Sequence, residues 1–388
     1  MKVPFVDLKI QYQSIKPEID AAIQDILDNA AFIMGPKVKE FEEGFARLHA
    51  AAYCIGTSSG TDSLHLALWA VGIGQGDRVI IPVNTFIATA EAVSLCGADP
   101  VFVDCNEYYN IDVSKLREKL STMSSTYRAK LKGLIPVHLY GQPADMDEIA
   151  DLAREYGLLL IEDCAQAHCA QFTGAPVVEG GHAGNGKPVG TFGMAGCFSF
   201  YPGKNLGAYG EAGAVLTHDP DIYKKMMLIH DHGALVLYHH DVAGHNYRME
   251  GIQGAVLSVK LKYITSWTKR RQENAGLYSE LLKDMTEVTT PGIKQGRTHA
   301  FHLYVIRTKR RDELMKYLED HGISTGLHYP VPLHLQKAYS HLGYQQGDFP
   351  IAEQMAGEIL SLPMYPELTE EQIHFVVNQI KNFFGKKE

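Results

Sequence analysis

A lysine condenses with a carbonyl when its amine is partly desolvated, and therefore less basic, and when it is held rigidly and kept clear of bulky neighbours. The stretch GCFSFYPGKNLGAYGEAGAVLT supplies those conditions for Lys204: an apolar run enters a Pro-Gly-Lys-Asn turn and a glycine-rich return strand follows. Such a lysine can hold an aldehyde cofactor as a Schiff base and then carry protons. Ser199, in the same run, would face the same side and offer a hydroxyl to a phosphate. Taken by itself, the stretch reads more simply as a surface lysine in a hairpin.

Three further stretches change that reading. In LLLIEDCAQAH a buried run ends on two carboxylates; Asp163 could pair with a protonated pyridine nitrogen and keep the ring an electron sink, and Gln166 could hydrogen-bond the ring's phenolic oxygen. Alone, Asp163 is as readily a strand-end acid that caps the next helix. In GTSSGTDSLHLAL, Gly60 and Thr61 stand at a loop-to-helix junction whose free N–H groups and positive dipole end suit a phosphate. Alone, it is an ordinary helix start capped by Thr61 or Asp62. In NTFIATAEAV, Phe86 follows an apolar strand and opens a helix, where an aromatic ring either stacks on a planar ligand or is plain core. Together the four stretches compose one site for pyridoxal 5'-phosphate.

Elements that could position these residues are visible between residues 79 and 217. There the short apolar runs RVIIPV, PVFVD, KGLIPVH, LLLIED, CFSFY and GAVLT alternate with helical patterns beginning near Thr61, Ala88 and Asp147. That alternation predicts a mostly parallel sheet covered by helices, and the continuous apolarity of several runs predicts cover on both faces. After Asn246 the pattern changes to amphipathic stretches: a helix over 250–267, a strand over 299–308, a helix over 311–321 and a last one over 370–384. Two domains follow, 1–245 with the cofactor site and a smaller one at 246–388. The segment 173–188, TGAPVVEGGHAGNGKP, is too polar for core and reads as a loop.

Composition excludes several classes of function. With 36 basic against 45 acidic side chains the net charge is -9, and no basic stripe offsets it, so nucleic acid is not an expected partner. No run approaches the roughly 20 apolar residues of a membrane helix, and MKVPFVDLKIQYQ has no apolar signal core, which makes the expected location cytoplasmic. The six cysteines form no C-x-x-C pair and read as reduced core residues. His239, His240 and His245 raise a metal question. Adjacent histidines on a strand point to opposite faces, so no metal site is expected there, and a metal-dependent enzyme built on that cluster stays as an alternative.

Read together, PFVDL, GTSSGTDSL, IEDCAQAH, FSFYPGKNLGAYGEAGA, YHHDVAGHNYRM, GLHYPVPLHLQ and SLPMYP make the chain resemble, nearly end to end, the DegT/StrS sugar-nucleotide aminotransferases. The resemblance implies an α/β, aspartate-aminotransferase-like fold of type I, with a mostly parallel seven-stranded sheet in the large domain and a smaller α+β C-terminal domain. It implies that Lys204 and Asp163 are catalytic, and that Gly60, Thr61, Phe86, Gln166 and Ser199 bind the cofactor along with them. It further implies that Asn246, in the G-x-N-x-R stretch, reaches the cofactor phosphate of the neighbouring subunit, hence a homodimer with shared sites, and that His328 lines the substrate side.

The implied reaction is transfer of an amino group from an amino acid, glutamate being the expected donor, to a nucleoside-diphosphate-linked keto-sugar, with pyridoxamine 5'-phosphate as the intermediate cofactor form. FYPGKNLGAYGEAGA combined with YHHxxxGxN resembles enzymes of 3-keto-6-deoxyhexoses; a 4-keto substrate and a non-catalytic regulatory protein on the same fold are the alternatives. Two departures stand out. Where many relatives read Leu-Arg-Asn-His-Gly, this chain has Ile229, His230, Asp231, His232 and Gly233, and the 173–188 segment exceeds the usual short hairpin. Some relatives that replace the lysine by histidine are dehydratases, whereas Lys204 is kept here.

Overall fold

The computed structural model describes residues 1–173, 186–236 and 238–385. The described residues between 53 and 217 form nine strands: β1 (Tyr53–Thr57), β2 (Arg78–Pro82), β3 (Asp99–Val103), β4 (Leu131–Leu134), β5 (Leu159–Asp163), β6 (Gln171–Phe172), β7 (Lys187–Pro188), β8 (Ala195–Ser199) and β9 (Gly213–Thr217). Seven of them form one sheet in the order β1-β9-β8-β5-β4-β2-β3, in which β9 alone runs antiparallel to its neighbours. The small β6–β7 pair closes the base of the polar segment, and residues 174–185 of that expected loop lie outside the described residues.

Cover on both faces is directly visible in β2. Val79 and Ile81 join the helix Gly60–Ala70 in one core, while Ile80, between them, joins the helices Val113–Thr122 and Met146–Tyr156 in another. Full burial of each such side chain contributes about 1.5–3 kcal/mol, which is why the runs carry almost no polar residue. β1 lies outside the range read as sheet from the sequence: YCIGT is short, interrupted by Gly56, and set between a run of alanines and the polar Ser58-Ser59.

β1, β2, β5 and β8 all point the same way, so their carboxyl ends share one edge of the sheet. In open α/β sheets that edge is where ligands bind. Thr57, Pro82, Asp163 and Ser199 end those strands, and the helices Gly60–Ala70 and Ile87–Leu95 begin just beyond two of them.

An exposed hairpin of β10 (Ala234–Val236) and β11 (His239–His240) precedes the C-terminal region. That region pairs β12 (Tyr304–Arg307) with β13 (Ile359–Leu362), antiparallel, against the helices Ile264–Leu282, Arg311–Asp320 and Glu370–Phe383, with Tyr278, Leu314 and Val377 in its core. The single helix expected over 250–267 is two, Gly251–Leu261 and Ile264–Leu282. Lys262 and Tyr263 donate to the carbonyls three residues back and tighten the chain between them, while the apolar stripe continues through the break. The strand expected over 299–308 is confined to β12, because Phe301 has a positive φ of 43° and turns residues 299–303 away from it. All six cysteines are free, and among the described residues no helix is long and apolar enough to cross a membrane.

Candidate active site

A cavity of about 550 Å³ opens at the carboxyl edge of the sheet. Gly60, Thr61, Phe86, Asp163, Gln166, Ser199, Lys204 and His328 all line it, although they come from five separate stretches of chain. Asn246 does not line it.

The lysine turn is clamped from several sides. Lys204 N donates to Tyr201 O at 2.8 Å and Ala208 N to Phe200 O at 2.7 Å. Gly207 lies against Pro202 so tightly that a β-carbon would stand 2.2 Å from the Pro202 carbonyl oxygen. Asn205 Nδ2 donates to Ala300 O at 2.9 Å, and Lys260, buried on the helix Gly251–Leu261, donates from Nζ to Gly207 O at 2.7 Å. Part of the Lys204 side chain faces the open cavity, yet protein surrounds it closely, and that burial pulls its pKa from 10.5 down to about 8 against the opposing field of Asp163. A desolvated, rigid amine is what carbonyl condensation needs.

The two acids that end β5 have different partners, since successive side chains on a strand face opposite ways. Glu162 is fully buried and structural: it accepts from the N–H groups of Gly190 (2.8 Å), Phe192 (2.6 Å) and Gly193 (2.8 Å), and His138 Nε2 lies 3.1 Å from it. Asp163 accepts from Thr89 Oγ1 at 2.8 Å and from Ala165 N at 3.1 Å. Burial pushes its carboxyl above the usual range despite those two donors and the nearby Lys204, so a cation placed against it would be strongly favoured.

At the helix start, the cap is Ser59, whose hydroxyl accepts from Asp62 N at 3.0 Å; neither Thr61 nor Asp62 fills that position. The helix begins at Gly60, two residues before one capped by Thr61 would begin, so that alternative reading placed the cap too late. The N–H groups of Gly60 and Thr61 thus have no acceptor within the helix, at the positive end of its dipole and beside Ser199. Phe86, the residue before the helix Ile87–Leu95, is 51% exposed with its ring 5.2 Å from that of Tyr329. Gln166 accepts from Tyr140 N at 2.7 Å and donates to Tyr329 Oη at 3.1 Å. His328 stacks on Phe5 at 5.6 Å, with Nδ1 2.9 Å from Ser361 Oγ; burial, then Lys204, lowers its pKa to about 4 and keeps the ring neutral.

Asn246 is exposed, outside the cavity, on a backbone bridge with Asp231. Arg248, paired with Asp231 at 3.2 Å, donates to Asn246 Oδ1 at 3.0 Å, which leaves the amide N–H groups of this exposed residue to serve as donors. The histidines read as a metal question do not converge: His239 and His240 are exposed on β11, while His245 lies among rings, 4.7 Å from both Trp69 and Tyr247. Among the described residues the group whose ligand atoms come close is His138, Glu162 and Cys164, and there the carboxylate is already taken up by backbone N–H groups.

Thr89, Tyr329 and Phe5 belong to the site and were missed from the sequence; His302, equally missed, lines the cavity wall with no hydrogen bond to those groups. Thr89 had a signal in the Thr85/Thr89 spacing of one helical turn, the hydroxyls being 2.9 Å apart. Phe5 and Tyr329 stood within PFVDL and GLHYP without a recognisable role.

A model of the DegT/DnrJ/EryC1/StrS aminotransferase family matches residues 13–381. A "Pleiotropic regulatory protein" of Geobacillus stearothermophilus is 43% identical over 387 residues, 99% of both chains. A "UDP-N-acetyl-3-dehydro-alpha-D-glucosamine 3-aminotranferase" of Acidithiobacillus ferrooxidans is 41% identical over 380 residues, 98% of this chain and 97% of its own. The X-ray structure of S. venezuelae DesV in complex with a ketimine intermediate aligns over 100% of both chains with a TM-score of 0.92 at 38% identity.

Proposed function

Because the chain belongs to the DegT/DnrJ/EryC1/StrS aminotransferase family, we propose that it moves an amino group from an amino acid to a nucleoside-diphosphate-linked keto-sugar, using pyridoxal 5'-phosphate on Lys204. The observation that carries this reading is the Lys204 amine, lowered to about 8, sharing one cavity with the buried carboxylate of Asp163.

The residues fit that cofactor. Gly60 lacks a β-carbon where one would collide with Ser199, leaving space at a helix start for a phosphate held by the Gly60 and Thr61 N–H groups and the Ser199 hydroxyl. When bound, pyridoxal phosphate supplies an electron sink that makes the donor carbon acidic. Asp163, steadied by Thr89, would keep the cofactor's ring nitrogen protonated, Gln166 would hydrogen-bond its ring oxygen, and Phe86 would pack against it. Lys204 would hold the cofactor and, with its amine free, would accept the proton from the donor carbon and return one in the second half-reaction.

Glutamate is the donor in this reading, and the product is an amino-sugar for polysaccharide or glycoside synthesis. His328 and Tyr329 face the substrate. Asn246 completes the phosphate site of a second subunit, making a homodimer, and the division into 1–245 and 246–388 separates the cofactor-binding part from the smaller one. Carbon 3 is the aminated position, a choice supported by the Acidithiobacillus relative's name, with a 6-deoxyhexose preferred from the sequence resemblance. The Geobacillus relative's name favours a second reading, a regulatory protein without catalysis.

A coupled assay with glutamate and purified 3-keto and 4-keto sugar nucleotides tests the proposal. Turnover of the 3-keto substrate is expected; turnover of the 4-keto substrate alone overturns the choice of carbon. A protein that gives no visible absorption with added cofactor, and no turnover, would favour the regulatory reading.

A further inference from the structure

His302 is not part of the amino transfer as described, yet its ring lines the same cavity as Lys204. Asn205, the next residue after Lys204, is 2% exposed, and its Nδ2 is committed to Ala300 O at 2.9 Å. The Asn205 Oδ1 is therefore turned to His302 Nδ1, 3.3 Å away, and Nδ1 must carry the proton. His302 Nε2, on the ring opposite that bonded Nδ1, has no hydrogen-bond partner among the described residues, and the residue lines the cavity. Burial, Lys204, Arg271 and the neighbouring imidazoles of His328 and His168 all oppose protonation, so that nitrogen keeps its lone pair. Arg271 fixes the backbone beneath it, donating to the carbonyls of Phe301 (3.1 Å), His302 (3.4 Å) and Met364 (2.9 Å).

A neutral, single-tautomer acceptor beside the catalytic amine calls for a donor on the ligand. The amino-acid donor has none to spare, since its carboxylates only accept and its amine is consumed in the reaction. A sugar has a hydroxyl beside the reacting carbon. Phe5, Leu303 and Met364, also on the cavity wall, are apolar and would leave such a hydroxyl unpaired. We propose that His302 is a specificity-determining residue whose Nε2 accepts a hydrogen bond from the hydroxyl on a carbon adjacent to the keto carbon of the acceptor sugar, an inference that rests on the aminotransferase reading.

The test separates the two half-reactions. With the holoenzyme and glutamate alone, the spectral change of the cofactor reports the donor half; with a nucleotide-linked 3-ketohexose and its 2-deoxy and 4-deoxy analogues, kcat/KM reports the acceptor half. Equilibrium binding of the nucleotide-linked amino-hexose product is measured as well. His302→Phe is expected to leave the glutamate half-reaction unchanged, to weaken product binding, and to lower kcat/KM for the hydroxylated sugar about tenfold to a hundredfold, the loss of one buried hydrogen bond. One deoxy analogue should react equally well with both enzymes. His302→Gln, which restores an acceptor, should recover much of the loss, and His302→Leu replaces the Phe variant if that one does not fold. Equal losses on all three sugars, or a slowed glutamate half-reaction, would overturn the proposal. Absence of any glutamate-driven change in the wild type would instead overturn the aminotransferase reading.

Discussion

Gly60 and Ser199 approach so closely that a β-carbon on Gly60 would lie 2.6 Å from the β-carbon of Ser199. The contact joins the start of the helix Gly60–Ala70 to the end of β8, so the two groups proposed to hold the phosphate are packed against one another. Gly60→Ala should therefore push the helix start away from Ser199, costing about 1–3 kcal/mol of strain. Cofactor affinity, measured by fluorescence titration of the apoprotein, is expected to fall at least about tenfold. Unchanged affinity would mean that the phosphate does not sit there.

The depressed basicity of Lys204 predicts a pH dependence with a definite sign. Only the neutral amine attacks an aldehyde, and with a pKa of about 8 roughly one amine in ten is neutral at pH 7, far more than for an exposed lysine. Capture of pyridoxal phosphate by the apoprotein should accelerate as pH rises and level off above about 8. Asp163 raises the lysine pKa, so Asp163→Asn should move that midpoint to lower pH. The same variant should hold the cofactor more weakly by about 1.5–3 kcal/mol, the loss of a charge-assisted hydrogen bond. Stopped-flow absorbance across pH checks both.

Glu162 offers a contrast one residue away. It satisfies three backbone N–H groups in 190–193 and sits against His138, both side chains fully buried. Glu162→Ala should cost about 3 kcal/mol or more in stability by stranding those donors, read as a lowered urea midpoint. A variant as stable as wild type would show that the donors find other acceptors.

How much of this was legible in the sequence depends on how local each signal was. Asp163 ends an apolar strand and Lys204 sits in the turn that an apolar strand runs into, and strand ends in such a sheet are ligand positions, yet each took its meaning only from the other stretches. Thr89 bonds to an oxygen 74 residues away and His302 reads against Asn205 97 residues away, so no local pattern links them. The Lys262–Tyr263 break was invisible because the apolar stripe passes through it unbroken. The choice of Thr61 or Asp62 as cap missed Ser59 by confusing the loop's last polar residue with the helix's first.

Asn246 is ordered by Arg248 as an exposed donor yet lies outside its own chain's cavity, so its proposed partner is a phosphate in a second subunit. That arrangement predicts complementation. Lys204→Ala and Asn246→Asp should each be nearly inactive alone, the first without its nucleophile and the second with a carboxylate facing the phosphate. In a hybrid dimer one site combines the intact Lys204 of one subunit with the intact Asn246 of the other, while the second site carries both defects. Random exchange makes half the dimers hybrid, each with one working site, so mixing equal amounts should restore about a quarter of wild-type specific activity. If subunit exchange is verified by mass spectrometry and no activity returns, Asn246 does not serve its neighbour's site.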